Sequence, residues 1–252
     1  MATQASIAIP SVKDETAQAL ELLGIARGRY DLVPLDGVRK VVAKRLTEAA
    51  RDIPHFPLVV HLAAQPLLDA RAAYDPQEAG KVSVNDLLIA AVARALVAVP
   101  EVNASFTEHG LVRHHHADVA VAVAIPGGLI TPIVREAETK SVRQIAIEVR
   151  DLADRAKRKR LKPDEYNGGS FCVSNLGMFG VSSFGSILNP PHGAILSVGA
   201  VEERVVAIDG APGVAKMMTV TLTCDHRVID GATGARWLQA LAAAVADASS
   251  LS

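Results

Sequence analysis

One stretch does most to limit how this chain can fold. Thr219-Val-Thr-Leu-Thr-Cys224 alternates apolar and hydroxyl side chains, so Val220, Leu222 and Cys224 share one face of a strand. Asp225-His-Arg-Val-Ile-Asp-Gly231 follows, with a glycine suited to a tight turn, and an alanine-rich helical run extends from about Ala232 to Ala248. His226 therefore falls at a strand end, where an imidazole can stand clear of the packing yet keep a fixed direction. The plain alternative is that His226 is one of eight histidines and is satisfied locally.

The rest of the chain alternates strands with long helices. Residues 1 to 11 are small and polar and are expected to fray, and Asp14 to about Ala26 allows a helix. Asp31 to Leu35 is extended around Pro34. Asp36 caps a helix carrying Val38, Val41, Val42, Leu46 and Ala49 at core-facing spacing, and Ile53-Pro-His-Phe-Pro57 breaks it. Leu58, Val60 and Leu62 alternate as a strand, and Pro66 opens a helix to about Tyr74.

Asp86 to Val99 is a long apolar helix, and Asn103 to Phe106 a short strand. Val119 to Ile125 is expected to be a strand buried on both faces, turned by Gly127-Gly128 into a second strand, Leu129 to Val134. Ser141 and Gln144 form a capping-box pattern before a helix burying Val142, Ile145, Val149, Leu152 and Ala156. Strands are expected at Ser170 to Ser174, Ala194 to Val198 and Val205-Val206, the last leading to a hairpin turn at Asp209-Gly210. Asn175 to Gly185 is a glycine-rich loop. This order describes one compact α/β domain.

Composition removes several functions. With 26 basic and 27 acidic residues there is no footprint for nucleic acid or an acidic membrane surface. The basic run Arg155 to Lys162 has the character of a solvated helix face, with cofactor phosphates the weaker alternative. Two cysteines, Cys172 and Cys224, point to neither a disulfide scaffold nor a zinc site, and fit a reduced cytoplasmic compartment. His114, His115 and His116 alternate in direction on an extended chain and cannot all converge on one metal ion; a loop or strand start explains them better. No apolar run reaches the ~18 residues that span a bilayer. The N-terminus has no secretory pattern. A cytoplasmic location is expected, or the mitochondrial matrix if the chain is a processed eukaryotic one.

Asp225-His-Arg-Val-Ile-Asp-Gly-Ala232 resembles the active-site signature of the acyltransferase subunits of 2-oxo acid dehydrogenase complexes, and its His-x-x-x-Asp-Gly core is similar to chloramphenicol acetyltransferase. Further stretches resemble the same family in the same order: Arg39 to Leu46, Ile53 to Phe56, Val82 to Asp86, Gly128 to Val134, Ser174 to Gly180, and Asn189-Pro-Pro191. The resemblance covers roughly residues 33 to 245. It implies a chloramphenicol acetyltransferase-like mixed sheet flanked by helices, assembled as a homotrimer. Active sites then lie between subunits, in a channel entered by coenzyme A from one side and a lipoyl arm from the other.

The reaction so implied moves an acyl group between the thiols of dihydrolipoamide and coenzyme A, both of them substrates, with no metal. A thiol of pKa ~8.5 is mostly protonated at neutral pH, so a base is needed, and imidazole is a suitable one. His226 is that base by resemblance. Ser174, by the match of Ser-Asn-Leu-Gly, is the hydroxyl donor to the tetrahedral oxyanion, given from the facing subunit; otherwise it is an ordinary loop-start serine. Asp230 fixes the turn beside His226, with Arg45 the candidate for a structural ion pair or else an exposed helix arginine. Thr131, Pro132 and Trp237 are candidates to line the coenzyme A or lipoyl channel, with helix packing the alternative for Trp237. Leu176-Gly-Met-Phe-Gly180 looks like the acetyl-transferring, pyruvate dehydrogenase type.

Three departures from the family pattern matter. Residues 1 to 30 form an extension with a possible helix and resemble neither a lipoyl nor a subunit-binding domain, so residues 31 to 252 are expected to be the catalytic domain. The lipoyl group is then supplied by another domain or chain, with dehydrogenase complex subunits as possible partners. The tail Ala246-Asp-Ala-Ser-Ser-Leu-Ser252 lacks a leucine-rich anchor, so a trimer is expected over a larger cage. The helix near Ala17 has no counterpart in the pattern. Two other functions stay open: a non-catalytic core subunit, and a stand-alone acyltransferase with a different acceptor.

Overall fold

The computed structural model describes residues 14–74, 81–125 and 128–251, apart from the side chain of Val38. The expected fraying of residues 1 to 11, the inward face of Val38 and the turn at Gly127 lie outside the described residues.

Two helices open the described chain, α1 (Asp14–Leu22) and α2 (Gly37–Asp52). Asp36 caps α2 by accepting the Arg39 N–H at 2.7 Å. Strand β1 (His55–Ala63) follows, then α3 (Gln65–Ala72) and α4 (Val84–Ala98). The hairpin β2 (Ala104–Thr107) and β3 (Gly110–Arg113) precedes four short strands, β4 (Val119–Val121), β5 (Val123–Ile125), β6 (Gly128–Ile130) and β7 (Ile133–Val134). After α5 (Val142–Lys157) come β8 (Phe171–Asn175), β9 (Ala194–Ile208), β10 (Ala211–Asp225) and α6 (Gly231–Ala246).

Six strands form one mixed sheet in the order β1-β10-β9-β8-β4-β7. β8 runs parallel to β4 and β9, while the β1–β10, β10–β9 and β4–β7 pairs are antiparallel. Alternation then sorts the side chains. Phe171, Val173, Leu196, Val220, Leu222 and Cys224 face the core under α4, α5 and α6, where Leu88, Val92, Ile145, Trp237 and Leu241 meet them. The opposite face carries hydroxyls at Ser174, Ser197, Thr219, Thr221 and Thr223. Its smaller apolar cluster joins Ala49 and Ile53 to Cys172, Leu188 and Ile195.

Three expectations change. The stretch from Val119 is not one strand with one hairpin: it breaks at Ala122, whose N–H goes to the Val173 carbonyl. β4 and β7 then serve the main sheet, while β5 and β6 pair separately. Val205-Val206 is not a separate strand but part of β9, which stays paired with β10 out to Ile208. Among the described residues of the expected apolar face of α2, only Ala49 is buried, and Val41 is 56% exposed, because the helix joins the sheet's apolar cluster at its C-terminal end.

Candidate active site

The end of β10 holds His226 by its surroundings. Asp225 pairs with His55 at the start of β1, and the His226 N–H donates to the Pro54 carbonyl at 3.0 Å. The exposed imidazole stands edge-on to Phe56, ring centroids 4.8 Å apart at 82°. His55 is structural: Leu188 N–H donates to its Nε2 at 2.9 Å, so its Nδ1 donates to the Ile53 carbonyl at 2.8 Å. Gly193 passes so close to β2 that a Cβ there would lie 2.1 Å from the Ala104 oxygen.

Asp230 is the N-cap of α6, accepting the Thr233 N–H at 2.7 Å. That hydrogen bond, with the Thr233 hydroxyl and then the nearby charges of Arg236 and His226, holds its carboxyl below the usual carboxylate range. The buried carboxylate of the motif is instead Asp225, 3% exposed. Arg227 grips it with two prongs, Nε to Oδ1 at 3.0 Å and Nη2 to Oδ2 at 2.7 Å. The guanidinium lies over the Phe106 ring, 4.0 Å from its centroid.

Ser174 lies near the C-terminal end of β8, half-buried, level with Ser197 and through it with Thr221. Behind it the Asn175 amide donates to Asn85 Oδ1 at 3.1 Å, and the Asn175 oxygen accepts the Gly177 N–H at 2.9 Å. Gly177 is required, since a Cβ would lie 2.8 Å from the Gly199 oxygen. The loop beyond exposes Met178 (80%) and Phe179 (69%). From Ser174 to the end of β10 the path crosses two strand spacings and four residues of rise, roughly 16 Å. One chain does not bring Ser174 to His226.

A family model described as 2-oxoacid dehydrogenases acyltransferase (catalytic domain) matches residues 27–252. The chain belongs to that family. The dihydrolipoyllysine-residue acetyltransferase component of the pyruvate dehydrogenase complex of Rhizobium meliloti is 52% identical over 220 residues, 84% of this chain and 49% of that protein. The chain thus spans about half the length of the curated relatives it matches. Dihydrolipoamide acetyltransferase of Azotobacter vinelandii superposes with a TM-score of 0.85 at 32% identity, covering 89% of this chain and 95% of that one. That structure belongs to an investigation of the role of a serine, a histidine and an asparagine in its catalytic mechanism. A chloramphenicol acetyltransferase superposes with a TM-score of 0.52 at 17% identity, over 83% of this chain and 94% of that one, which shows a shared fold and no more.

Several expected site residues of this acyltransferase domain fall elsewhere. Trp237 is fully buried and tilted against Phe171 at 5.0 Å, so it packs α6 onto the sheet and does not line a channel. Arg45 is exposed on α2 and does not pair with Asp230, whose carboxylate is committed to its helix cap. Thr131 and Pro132 are buried beside β7, the Pro132 carbonyl accepting the Val121 N–H at 2.8 Å, and offer no open surface in one chain. His114 meets Ser105 and His116 meets Glu138, so these two point to different partners. Burial pushes both thiols up, Cys172 and Cys224 each to about 12, and they lie on opposite faces of the sheet. Among the described residues, no group of three or more His, Cys, Asp or Glu is placed to hold a metal ion, and no helix is long and apolar enough to cross a membrane.

Sequence reasoning missed the Asp225–Arg227 pair and the two asparagines behind Ser174. The first had a signal, since an aspartate side chain readily takes the backbone N–H two residues on and closes a turn there. The second had none, because Asn85 and Asn175 meet only through the fold.

Proposed function

We propose that this domain transfers an acyl group, acetyl first among candidates, between the thiols of dihydrolipoamide and coenzyme A. One observation carries the reading. Ser174 precedes His226 by 52 residues and Asp230 follows it by 4, the same intervals that separate the serine, histidine and asparagine investigated in the Azotobacter vinelandii enzyme. Only the third residue differs, aspartate here for asparagine there.

In this reading the His226 imidazole takes the proton of the attacking thiol. The thiolate sulfur bonds to the thioester carbonyl carbon, giving a tetrahedral oxyanion that accepts the Ser174 hydroxyl hydrogen bond, a contact worth roughly 3 kcal/mol. Collapse breaks the other carbon–sulfur bond, and the imidazolium returns its proton to the departing sulfur. Because Ser174 and His226 stand roughly 16 Å apart along the sheet, the serine comes from a neighbouring copy. A closed trimer with sites at its interfaces satisfies this, and the exposed Met178, Phe179 and Val41 are apolar surface for such contacts. The lipoyl arm is carried by another domain or chain.

The test is acetyl-CoA with free dihydrolipoamide, wild type beside His226→Ala. Thioester formation is expected to fall about 10²- to 10⁴-fold in the variant, with the melting temperature held, because the side chain is exposed. Equal rates would remove the general base. No turnover by assembled wild type with acetyl-, succinyl- or isobutyryl-CoA would favour a non-catalytic core subunit. Solution mass is expected to correspond to three copies.

A further inference from the structure

His226 needs a fixed direction, yet nothing the structure describes orients its ring by hydrogen bonding. Asp230, the natural candidate for that task, spends its carboxylate on the Thr233 N–H. The orientation is built into the backbone instead. Five successive N–H groups are committed: Asp225 to the Gly193 carbonyl, His226 to Pro54, Arg227 to the Asp225 carboxylate, and both Val228 and Ile229 to the Asp225 carbonyl. The Asp225 side chain, buried, then takes the Arg227 guanidinium on both oxygens. The Asp225 carboxylate, accepting the Arg227 N–H at 3.0 Å, closes a turn that has His226 as its central residue. Tying 225 to 227 therefore fixes where 226 points. Phe106, reaching over from the β2–β3 hairpin, covers the outer face of the guanidinium.

We propose that the Asp225–Arg227 pair, braced by Phe106, is the positioning device of His226, and that Arg227 is a positioning residue for acyl transfer. The inference rests on the acyl-transfer reading above for its kinetic readout. Its geometric content is independent: without the two-pronged contact the imidazole samples more than one direction.

The test uses the assembled protein as wild type, Arg227→Lys, Arg227→Gln and His226→Ala, each checked for melting temperature and solution mass. Lysine keeps a positive charge opposite Asp225 but loses the two-pronged geometry. A displacement of about 1 Å at a reacting group costs about 10²-fold. The kcat of Arg227→Lys is accordingly expected to fall by about 10- to 10²-fold, with KM for coenzyme A unchanged. Millimolar methylguanidine is expected to restore part of the rate of Arg227→Gln, since the arginine head is partly open to solvent. In parallel, the His226 ring signal in selectively carbon-labelled protein, assigned by its absence from His226→Ala, is expected to be single in wild type and broadened or split in Arg227→Lys.

An Arg227→Lys protein with wild-type kcat and an unchanged ring signal overturns the proposal. So does a folded Arg227→Gln that methylguanidine does not rescue. If Arg227→Gln fails to assemble, the lysine variant decides. A wild type without turnover whose ring signal still broadens in Arg227→Lys overturns the acyl-transfer reading and leaves the positioning device standing.

Discussion

The two ends of the central sheet are built differently. Where β10 ends, His226 is held from behind by an ion pair, an aromatic edge and a helix cap, and its imidazole is turned outward. Where β8 ends, two amides tie Asn175, the residue after Ser174, to Asn85 and Gly177, and the loop beyond leaves Met178 and Phe179 uncovered. The first end has the construction of a fixed reactive group. The second leaves apolar side chains open, which the proposed trimer would cover. On the proposed acyl-transfer reading each is half of the site, and the sheet keeps the halves apart.

Subunit mixing gives the largest test of that contrast. Ser174→Ala alone is expected to lower kcat by about 10²- to 10³-fold, and His226→Ala by at least as much. Co-expressed under separate tags and purified as mixed trimers, the two dead chains are expected to regain turnover. In every mixed closed trimer, about one in three of the interfaces joins an intact serine to an intact histidine. Mixed trimers that stay as inactive as either parent would place both residues in one chain's site and break the comparison.

Acid should separate the two ends more gently. His192 sits beside the Gly193–Ala104 contact, its Nε2 donating to the Gly168 carbonyl at 3.0 Å, and burial lowers its pKa to about 4. A histidine lowered in the folded state contributes stability that is whole above its unfolded pKa of ~6.5 and is lost as pH falls toward the folded value. The loss grows to roughly 2 kcal/mol at pH 5. Asn85 and Asn175, which hold the Ser174 end, do not titrate. Amide protection, corrected for the slower intrinsic exchange at acid pH, is expected to fall between pH 7 and pH 5 around Gly193 and β2 before it falls around Asn175 to Gly177. His192→Gln, which can still donate to Gly168, is expected to remove most of the difference, and an unchanged acid response in that variant would reject the assignment.

The same contrast governs how much of the molecule its sequence discloses. β10, the caps at Asp36 and Ser141 and the helix after Gly231 follow from local patterns, and the structure keeps them. His226 was legible because its motif is contiguous. Ser174 was legible as a motif but not as a place, because β8 reaches its position only through parallel pairing with β4 and β9. Trp237 misled because an aromatic two turns into a helix near a motif looks the same in sequence whether it faces a channel or Phe171. Val41 misled for the opposite reason: helical spacing promises a buried face but does not say whose chain buries it. Arg45 was paired with the wrong idea of Asp230, whose first partner is three residues away along its own helix.

Asp230 provides the smallest effect and the finest discrimination. Its carboxylate caps α6, and the Thr233 N–H is the main reason its pKa is lowered. A carboxyl lowered on folding contributes stability that is present above its unfolded pKa of ~3.9 and is lost as pH falls through the folded value. Asp230→Ala removes the cap at every pH, and is expected to lower the melting temperature by about 2–4 °C at pH 7. Asparagine is as good a cap as aspartate and carries no charge to titrate. Asp230→Asn is therefore expected to keep the pH 7 melting temperature and to flatten its fall below pH ~4. If the residue serves only to hold the turn under His226, Asp230→Asn also keeps kcat while Asp230→Ala loses some of it. An asparagine variant that melts and folds like wild type yet turns over slowly would mean that the charge itself acts on His226, and the helix cap would no longer be a sufficient account of this position.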